Sequence, residues 1–322
     1  MDERQFDYDD ADDGEIYIPP SSAELMQGLI RVSACTLAGD EAKANEDAFA
    51  ITVGENGLCM AVFDGTTSLT PLRAMEALGI SGARFASHCL RDAFKLADKA
   101  APLGTILAGL NDELGIKTRD LQGSRAAGYQ SHPASTGTLV RLSTKENTLE
   151  LAHVGDSFCL VYFKSDVSCL LTTNQNAQFD QQVFDLIRRI AEESQIVPRE
   201  ARQDARVHSK LLTIHQLKCN NPTGVGCGLI NGDEHVKRYI EYRVLPLSDV
   251  SAVLLGSDGL IPQGWSIEHE RCRADMYEAL RVGGLPRLIA MKRDSEDADP
   301  DWWHIRYKHS DDATGIFAEF PQ

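Results

Sequence analysis

The chain lacks the features by which membrane and secreted proteins are recognised. No stretch of its 322 residues approaches the roughly 20 consecutive apolar residues that a membrane-spanning helix needs. Its N-terminus is acidic, whereas a secretory signal begins with basic residues followed by apolar ones. From these absences we expect a protein of the cytoplasm with no membrane segment.

Positive charge is also scarce. The chain has 32 Lys and Arg against 48 Asp and Glu, which gives a formal net charge of −16. Because such a surface repels phosphates, the composition argues against a nucleic-acid partner and against binding to an anionic membrane. It favours cations and basic partners instead.

The eight cysteines include no Cys-x-x-Cys pair, so the sequence shows neither a zinc motif nor a redox motif of that kind. They stand within apolar runs. We therefore expect buried free thiols in a reducing compartment.

What the chain does have is an ordinary globular composition, 43% hydrophobic and 25% charged, behind an acidic leader. Residues 1–20 carry eight acidic residues and one Arg and close on two prolines, a composition typical of a disordered tail. No internal repeat or linker interrupts 30–320. We expect a single domain over 21–322.

Apolar runs and turn residues predict a mixed helix and strand order. A hairpin is expected over 48–63 and a β-meander over 136–171, because short apolar runs alternate there with Gly, Asn, Asp and Ser. The order indicates an α+β layered architecture. Helices are expected at 70–100, 103–121, 178–219, 267–281 and 285–292, a Gly-rich loop at 222–232, strands near 239–256, and a last strand at 314–320.

Three times an apolar strand ends in, or begins from, a short acidic turn. The turns are VFDG at Asp64, LLGSDG at Asp258 and SDDATGIF at Asp311, and a fourth, NEDAF, places Glu46 and Asp47 before a strand. A single Asp-Gly turn most often only closes a loop. Four acidic turns on strand ends are a stronger signal, because buried strands hold their end residues rigidly.

Clustered carboxylates repel one another unless cations neutralise them. Oxygen ligands are those that Mg²⁺ and Mn²⁺ prefer, and no His or Cys cluster stands at matching points to favour zinc. We therefore expect Asp64, Asp258 and Asp311 to meet in one site that binds divalent metal ions.

In their order, six motifs resemble signatures of the metal-dependent protein phosphatases, the type 2C serine/threonine phosphatases. The similarity spans about 45–320. Each motif is weak alone, and the ordered set carries the resemblance. The motifs are NED at 45–47, VFDG at 62–65, STGTLV at 135–140, HVGDS at 153–157, SDG at 257–259 and DDAT at 311–314.

The resemblance implies a four-layer α-β-β-α sandwich, two antiparallel sheets flanked by helix pairs, with two Mn²⁺ or Mg²⁺ ions in the cleft between the sheets. It implies that Asp64 bridges the ions and that the Gly65 carbonyl contacts one of them. Asp156 matches a position that holds a third, weaker metal in some relatives, although Pro262 replaces a further Asp of that site. The remaining implied ligands are Asp258 and Asp311 for the first ion, with Glu46 and Asp47 for the second.

The activity that the resemblance implies is hydrolysis of phosphoserine and phosphothreonine on a protein substrate. The resemblance implies that a hydroxide bridging two metal ions would attack phosphorus and that the ions would neutralise charge on the phosphoryl oxygens. No Ser or Cys is assigned as a nucleophile.

Two further positions depart from the family pattern. Many members carry a phosphate-gripping Arg before the Glu-Asp pair, and Lys43 is the candidate substitute here, although it is equally a solvated loop residue. Many also carry His-Gly-Gly after Asp64-Gly65, where this chain has three hydroxyl residues beginning with Thr66. Those hydroxyls either bind a phosphate, which makes Thr66 a candidate substrate-binding residue, or cap the next helix.

Two other functions stay open. The missing Arg and His fit a pseudophosphatase that keeps the fold and recruits a partner. The same metal chemistry also permits hydrolysis of a small phosphorylated metabolite. The segment 174–232, which resembles the family least, is where we expect substrate choice to be decided.

Overall fold

The three-dimensional structure is a computed structural model, and it describes residues 14–17, 30–40, 43–66, 79–122 and 132–320. The chain builds two antiparallel sheets, one of six strands and one of five. The expected α+β fold with two antiparallel sheets is therefore confirmed.

The six-stranded sheet has the order β1-β2-β11-β10-β7-β8. Its strands come from both ends and the middle of the chain. The sheet is therefore complete only when β11 lies between β2 and β10. They are β1 (Gly14–Tyr17), β2 (Arg31–Leu37), β7 (Phe158–Phe163), β8 (Ser168–Leu170), β10 (Val250–Gly256) and β11 (Ala313–Glu319).

The five-stranded sheet has the order β3-β4-β5-β6-β9. The expected hairpin over 48–63 is confirmed, since Gly54 pairs with Gly57 at its turn. The strands are β3 (Ala48–Gly54), β4 (Gly57–Thr66), β5 (Ala134–Ser143), β6 (Thr148–Val154) and β9 (Glu241–Pro246).

The two sheets pack face to face over one apolar core. Met60 and Val140 of the five-stranded sheet and Val161 and Val253 of the six-stranded sheet belong to the same buried cluster. Side chains on successive strand positions point to opposite faces, so the outer face of each sheet is left to bind helices.

Helices cover both outer faces. α1 (Gly82–Leu96) and α2 (Leu103–Gln122) pack on the five-stranded sheet. α6 (Glu270–Asp297) packs on the six-stranded sheet and is interrupted at Gly283 and Gly284, where the backbone leaves helical geometry. It thus forms the two helical segments that the sequence predicts, and it continues beyond the predicted end at 292.

A further helical unit lies between β8 and β9. It consists of α3 (Ala177–Ser194), α4 (Pro198–Ala201) and α5 (Ala205–Lys218). Outside this unit, 3-10 turns occur at Glu234–Arg238 and Asp258–Leu260. Val183, Ile187 and Val207 form the unit's own apolar core. This unit is the segment that resembles the family least.

Three local expectations need correction or restriction. The predicted meander is divided, because β5 and β6 join one sheet whereas β7 and β8 join the other. Gly155, with a φ of 98°, permits the turn between them. Of the predicted helix over 70–100, residues 67–78 lie outside the described part of the chain. Within the described part the helix runs over Gly82–Leu96 and is capped by the Ser81 side chain, so it ends before the predicted end at 100. Cys169 is exposed, and Cys219 and Cys272 are half-buried, so not every thiol is in the core.

Within the predicted acidic tail, Gly14–Tyr17 pairs with β2, and the rest of 1–20 is outside the described residues. The domain boundaries stay a prediction. In the described part of the chain, no helix combines the length and apolar character that a membrane span requires.

Candidate functional site

Neighbouring strands bring three of the sequence motifs to one end of the five-stranded sheet. Asp64 on β4 is paired with Thr136 on β5, and the Ser135 hydroxyl donates a 2.7 Å hydrogen bond to the Asp64 carbonyl oxygen. On the other side of β5, Gly137 is paired with Val154. The VFDG, STGTLV and HVGDS motifs therefore lie side by side.

The other sheet aligns its motifs in the same way. Gly256 at the end of β10 is paired both with Gly315 of β11 and with Phe158 of β7. The Ser257 backbone N–H donates to the Thr314 carbonyl at 2.9 Å. The turns that carry Asp258 and Asp311 are therefore adjacent.

Glycines let these turns approach one another closely. A Cβ built on Gly65 would lie 2.4 Å from the Glu46 carbonyl oxygen, and one on Gly259 would lie 1.8 Å from the carbonyl oxygen of Asp312. No side chain fits in either place. The glycine after each motif aspartate thus permits direct contact between the backbones of separate motifs.

Gly259→Ala is expected to lower the free energy of unfolding by about 2–4 kcal/mol, because the added methyl must separate the SDG and DDAT turns. Urea denaturation measures the change. Gly109→Ala is the control, since its Cβ would have nothing within 4 Å and alanine favours the helix by about 1 kcal/mol. Equal stability of the two variants would contradict the close approach.

The carboxylates are close enough to change one another's protonation. Burial raises the pKa of Asp64 well above its ordinary value, and neighbouring charges raise it further. A second carboxylate, Asp258, has its pKa raised to about 7 by burial, then by Asp311 and Asp156. The charges acting on Asp64 are, in order, those of Asp47, Asp258, Asp156 and Asp311.

Glu46 and Asp47 belong to the same group. Burial, followed by the charge of Asp312, raises the pKa of Asp47. Burial also raises the pKa of Glu46, while Lys308 opposes that shift. Asp47 is only 4% exposed, whereas Glu46 and Asp64 are half-buried. The group therefore combines a buried carboxylate with others that a ligand can reach.

The two aspartates of the DDAT motif have different partners. Asp312 accepts backbone N–H bonds from Gly39 and Glu46, each at 2.7 Å. Both of its oxygens thus hold the segment that carries Glu46 and Asp47. Asp311 makes an ion pair with Lys308, at 2.6 Å between Nζ and Oδ1. Asp312 has a positioning role, and Asp311 is the carboxylate that faces a cation.

Lys308 is a functional candidate that the sequence reasoning missed. Burial alone would lower the pKa of Lys308, but Asp311, Asp312 and Asp64 raise it overall. Its ammonium group also acts on Glu46 and Asp258. The only signal in the sequence is a cation three residues before Asp311, which is no different from many loop lysines.

The two predicted substrate-binding residues differ in their surroundings. The Lys43 side chain is 79% exposed and its ammonium pairs with Asp40 at 3.5 Å. Thr66 ends β4, paired with Ala134 and half-buried. Their contact with a substrate stays a prediction, and Thr67 and Ser68 are outside the described residues.

Asp156 meets a second residue that the sequence reasoning missed, Asp180 on α3. The Asn176 side chain donates to Asp156 at 2.6 Å, and the Tyr307 hydroxyl donates to Asp180 at 2.7 Å. Burial, and then the charge of Asp180, raises the pKa of Asp156 to about 6. Burial raises that of Asp180 to about 6 as well. Helix α3 thus adds a carboxylate to the edge of the site.

The donor set fits a hard divalent cation. Asp47 Oδ2 is buried and has no hydrogen-bond partner among the described residues, although a buried carboxylate oxygen needs one or a cation. In the described part of the chain, no three Asp, Glu, His or Cys side chains already form a metal-holding group. The individual ligand assignments therefore stay predictions.

Two antiparallel sheets with carboxylates at their adjacent ends define the class of protein, an α+β two-sheet fold with an acidic site. The family model for protein phosphatase 2C matches residues 40–283, which is more than half of the chain. The chain therefore belongs to the protein phosphatase 2C family.

Solved structures share the fold. A bacterial serine phosphatase has a TM-score of 0.55 at 18% identity, over 90% of this chain and 97% of that one. The serine/threonine phosphatase Stp1 from Staphylococcus aureus has a TM-score of 0.55 at 17% identity, over 91% and 96%. The catalytic domain of the phosphatase PstP, in complex with two manganese ions, has a TM-score of 0.51 at 17% identity, over 91% and 99%. No curated protein matches the chain at a significant level.

Proposed function

We propose that the protein is a divalent-metal-dependent phosphatase that hydrolyses phosphoserine and phosphothreonine on proteins. The main observation in support of this proposal is the group of mutually interacting carboxylates around Asp64. Such a group is electrostatically unfavourable without cations. Family membership and the likeness to PstP, which is described with two manganese ions, support Mn²⁺ or Mg²⁺ as those cations.

The geometry of the turns supports the proposed set of metal-holding residues. Asp64 and the Gly65 carbonyl lie at the end of β4, and Asp258 and Asp311 lie at the adjacent ends of the other sheet. A metal ion bound there supplies Lewis-acid activation of water and neutralises charge on the phosphoryl oxygens. The protein residues hold and orient, and none is required as a nucleophile. Glu46 and Asp47 complete the proposed set, with Asp156 at its edge.

Lys308 is our proposed phosphate-binding cation in place of the absent Arg. It is half-buried and held by Asp311 at 2.6 Å, whereas Lys43 is exposed. An ammonium attracts a phosphoryl group as a point charge without the fork of a guanidinium. In this proposal Lys308, rather than Lys43, takes the place of the absent phosphate-binding Arg.

The direct test is hydrolysis of p-nitrophenyl phosphate by the full chain with Mn²⁺, with Mg²⁺ and after chelation. We expect turnover only with a metal, together with a higher melting temperature, because a ligand that binds the folded state stabilises it. Absence of metal-dependent turnover above an Asp258→Asn variant would refute the catalytic proposal. Phosphopeptides compared with sugar and nucleotide phosphates then test the substrate class.

A pseudophosphatase is the second candidate, and the observation that favours it is Lys308. This ammonium already neutralises part of the carboxylate group, so the fold is less dependent on metal than the carboxylates alone suggest. Calorimetry with Mn²⁺ separates the two. Metal binding without turnover supports the pseudophosphatase, and turnover excludes it.

A further inference from the structure

Two thiols outside the carboxylate site lie next to each other. Cys219 directly follows α5, Cys227 lies in the Gly-rich segment after it, and their Sγ atoms are 3.5 Å apart. Both are free thiols in this structure. A disulfide has an S–S length of about 2.05 Å, so an approach of about 1.5 Å would join them.

The backbone already holds the two cysteines in a suitable arrangement. They form an isolated parallel β-bridge. The Asn220 N–H donates to the Cys227 carbonyl at 2.8 Å, and the Cys227 N–H donates to the Lys218 carbonyl at 3.1 Å. Paired strands lie about 5 Å apart, which falls inside the range of Cα separations that disulfides span.

Local packing fixes the segment between the cysteines. The buried Asn220 side chain donates to the Leu229 carbonyl at 2.8 Å and accepts from the Leu229 N–H at 2.9 Å. A Cβ on Gly226 would lie 1.9 Å from the Lys218 carbonyl oxygen, so glycine is needed for the close approach. The packing of this segment therefore holds the two cysteines beside each other.

We propose that Cys219 and Cys227 are a site of reversible oxidation, where a peroxide converts the dithiol to a disulfide. The half-buried Cys219 sulfur attacks the peroxide O–O bond, becomes a sulfenic acid and releases an alcohol or water. The Cys227 sulfur then attacks the sulfenic sulfur, and its proton leaves with the hydroxyl group as water. The thiols lose two electrons, which the peroxide gains.

The difference between the two environments supports this order of steps. Cys227 is only 2% exposed, and the hydrogen bond with Cys219, followed by burial, raises the pKa of the Cys227 thiol. The thiolate is the reactive form and must reach the oxidant. Cys219 therefore meets the peroxide, and Cys227 resolves the sulfenic acid.

Hydrogen bonds connect this pair to the edge of the carboxylate site. The Gly228 N–H donates to the Gln175 side-chain oxygen at 3.0 Å, and the Gly155 N–H donates to the same oxygen at 3.2 Å. Gly155 immediately precedes Asp156. The Gln175 side-chain oxygen therefore links the residue after Cys227 to the residue before Asp156.

The test is mass spectrometry of the full chain after hydrogen peroxide treatment and alkylation of free thiols. Trypsin places both cysteines in one peptide, 219–237, which holds no other Cys. We expect that peptide to lose two hydrogen atoms, to escape alkylation, and to regain both thiols with dithiothreitol. Cys169→Ser, which removes an exposed thiol, should leave this result unchanged.

Cys219→Ser should abolish the disulfide and leave Cys227 alkylated once the protein is unfolded. The wild-type measurement does not depend on the folding of that variant. Oxidation of Cys219 to sulfinic acid with Cys227 still a thiol would overturn the proposal. So would a reduced 219–237 peptide at a peroxide concentration that oxidises Cys169.

Discussion

Asp64→Asn is expected to lower metal-dependent hydrolysis of p-nitrophenyl phosphate by at least about 100-fold. The negative charges of four other carboxylates raise the pKa of Asp64, so Asp64 lies where the proposed ligands converge. Asparagine keeps the shape and one oxygen but removes the negative charge that a divalent cation needs. Initial rates at saturating Mn²⁺ measure the loss.

The same variant should be more stable than the wild type in the absence of metal, by about 1–2 kcal/mol. Burial and like charges raise the pKa of Asp64, which means that its ionised form is unfavourable in the folded protein, and the amide removes that cost. Urea denaturation with a chelator measures the gain, and added Mn²⁺ should reverse the order of the two proteins.

Asp120→Asn, on the exposed side of α2, is the control and should change neither quantity. A variant of Asp64 that loses activity and is also less stable without metal would show a structural defect. That outcome would contradict the assignment of Asp64 to the metal site.

Lys308→Met should raise the KM for p-nitrophenyl phosphate by about 10-fold, because a charged contact to the phosphoryl group is lost. It should also lower the Mn²⁺ concentration for half-maximal stabilisation by about 10-fold, because a cation that competes for Asp311 is gone. Methionine preserves the length of the apolar stem. Steady-state kinetics and thermal unfolding across Mn²⁺ concentrations measure the two effects separately.

Lys43→Met is the matched control and should leave both quantities within about twofold, as expected for an exposed charge pair. If Lys43→Met raises the KM and Lys308→Met does not, the substrate-binding residue is the one that the sequence predicted. A change in metal response alone would leave Lys308 as a counter-ion of the carboxylates.

Much of the fold could be predicted because its signals are local. The hairpin of β3 and β4 depends on apolar alternation and a Gly-rich turn, and α2 on an apolar period that ends where expected. The break in α6 lies at adjacent glycines, Gly283 and Gly284, which the sequence displays. The motif carboxylates are visible for a similar reason, since each follows or precedes a buried strand.

The features that the sequence analysis mispredicted or missed depend on contacts between segments that are far apart in the chain. Whether β7 continues the sheet of β6 or crosses to the other one depends on which partner it pairs with, and β10 comes almost 90 residues after β7. No local pattern carries that choice. Asp180 likewise lies on a helix that resembles the family least, so its approach to Asp156 follows only from how α3 packs.

The sequence alone determined the α+β class, the family and the carboxylates at strand ends, because periodicity and short motifs are written within a few residues of each position. Tertiary structure decided which residues share a charge environment. It placed Lys308 rather than Lys43 among the carboxylates, gave Asp312 a positioning role beside Asp311, and brought Cys219 to Cys227. These are properties of distances between side chains, and packing sets those distances. The charges of Asp258 and Asp311 act on Asp64, and only the fold reveals that the Lys308 cation lies beside them. Metal binding by the three aspartates stays a prediction.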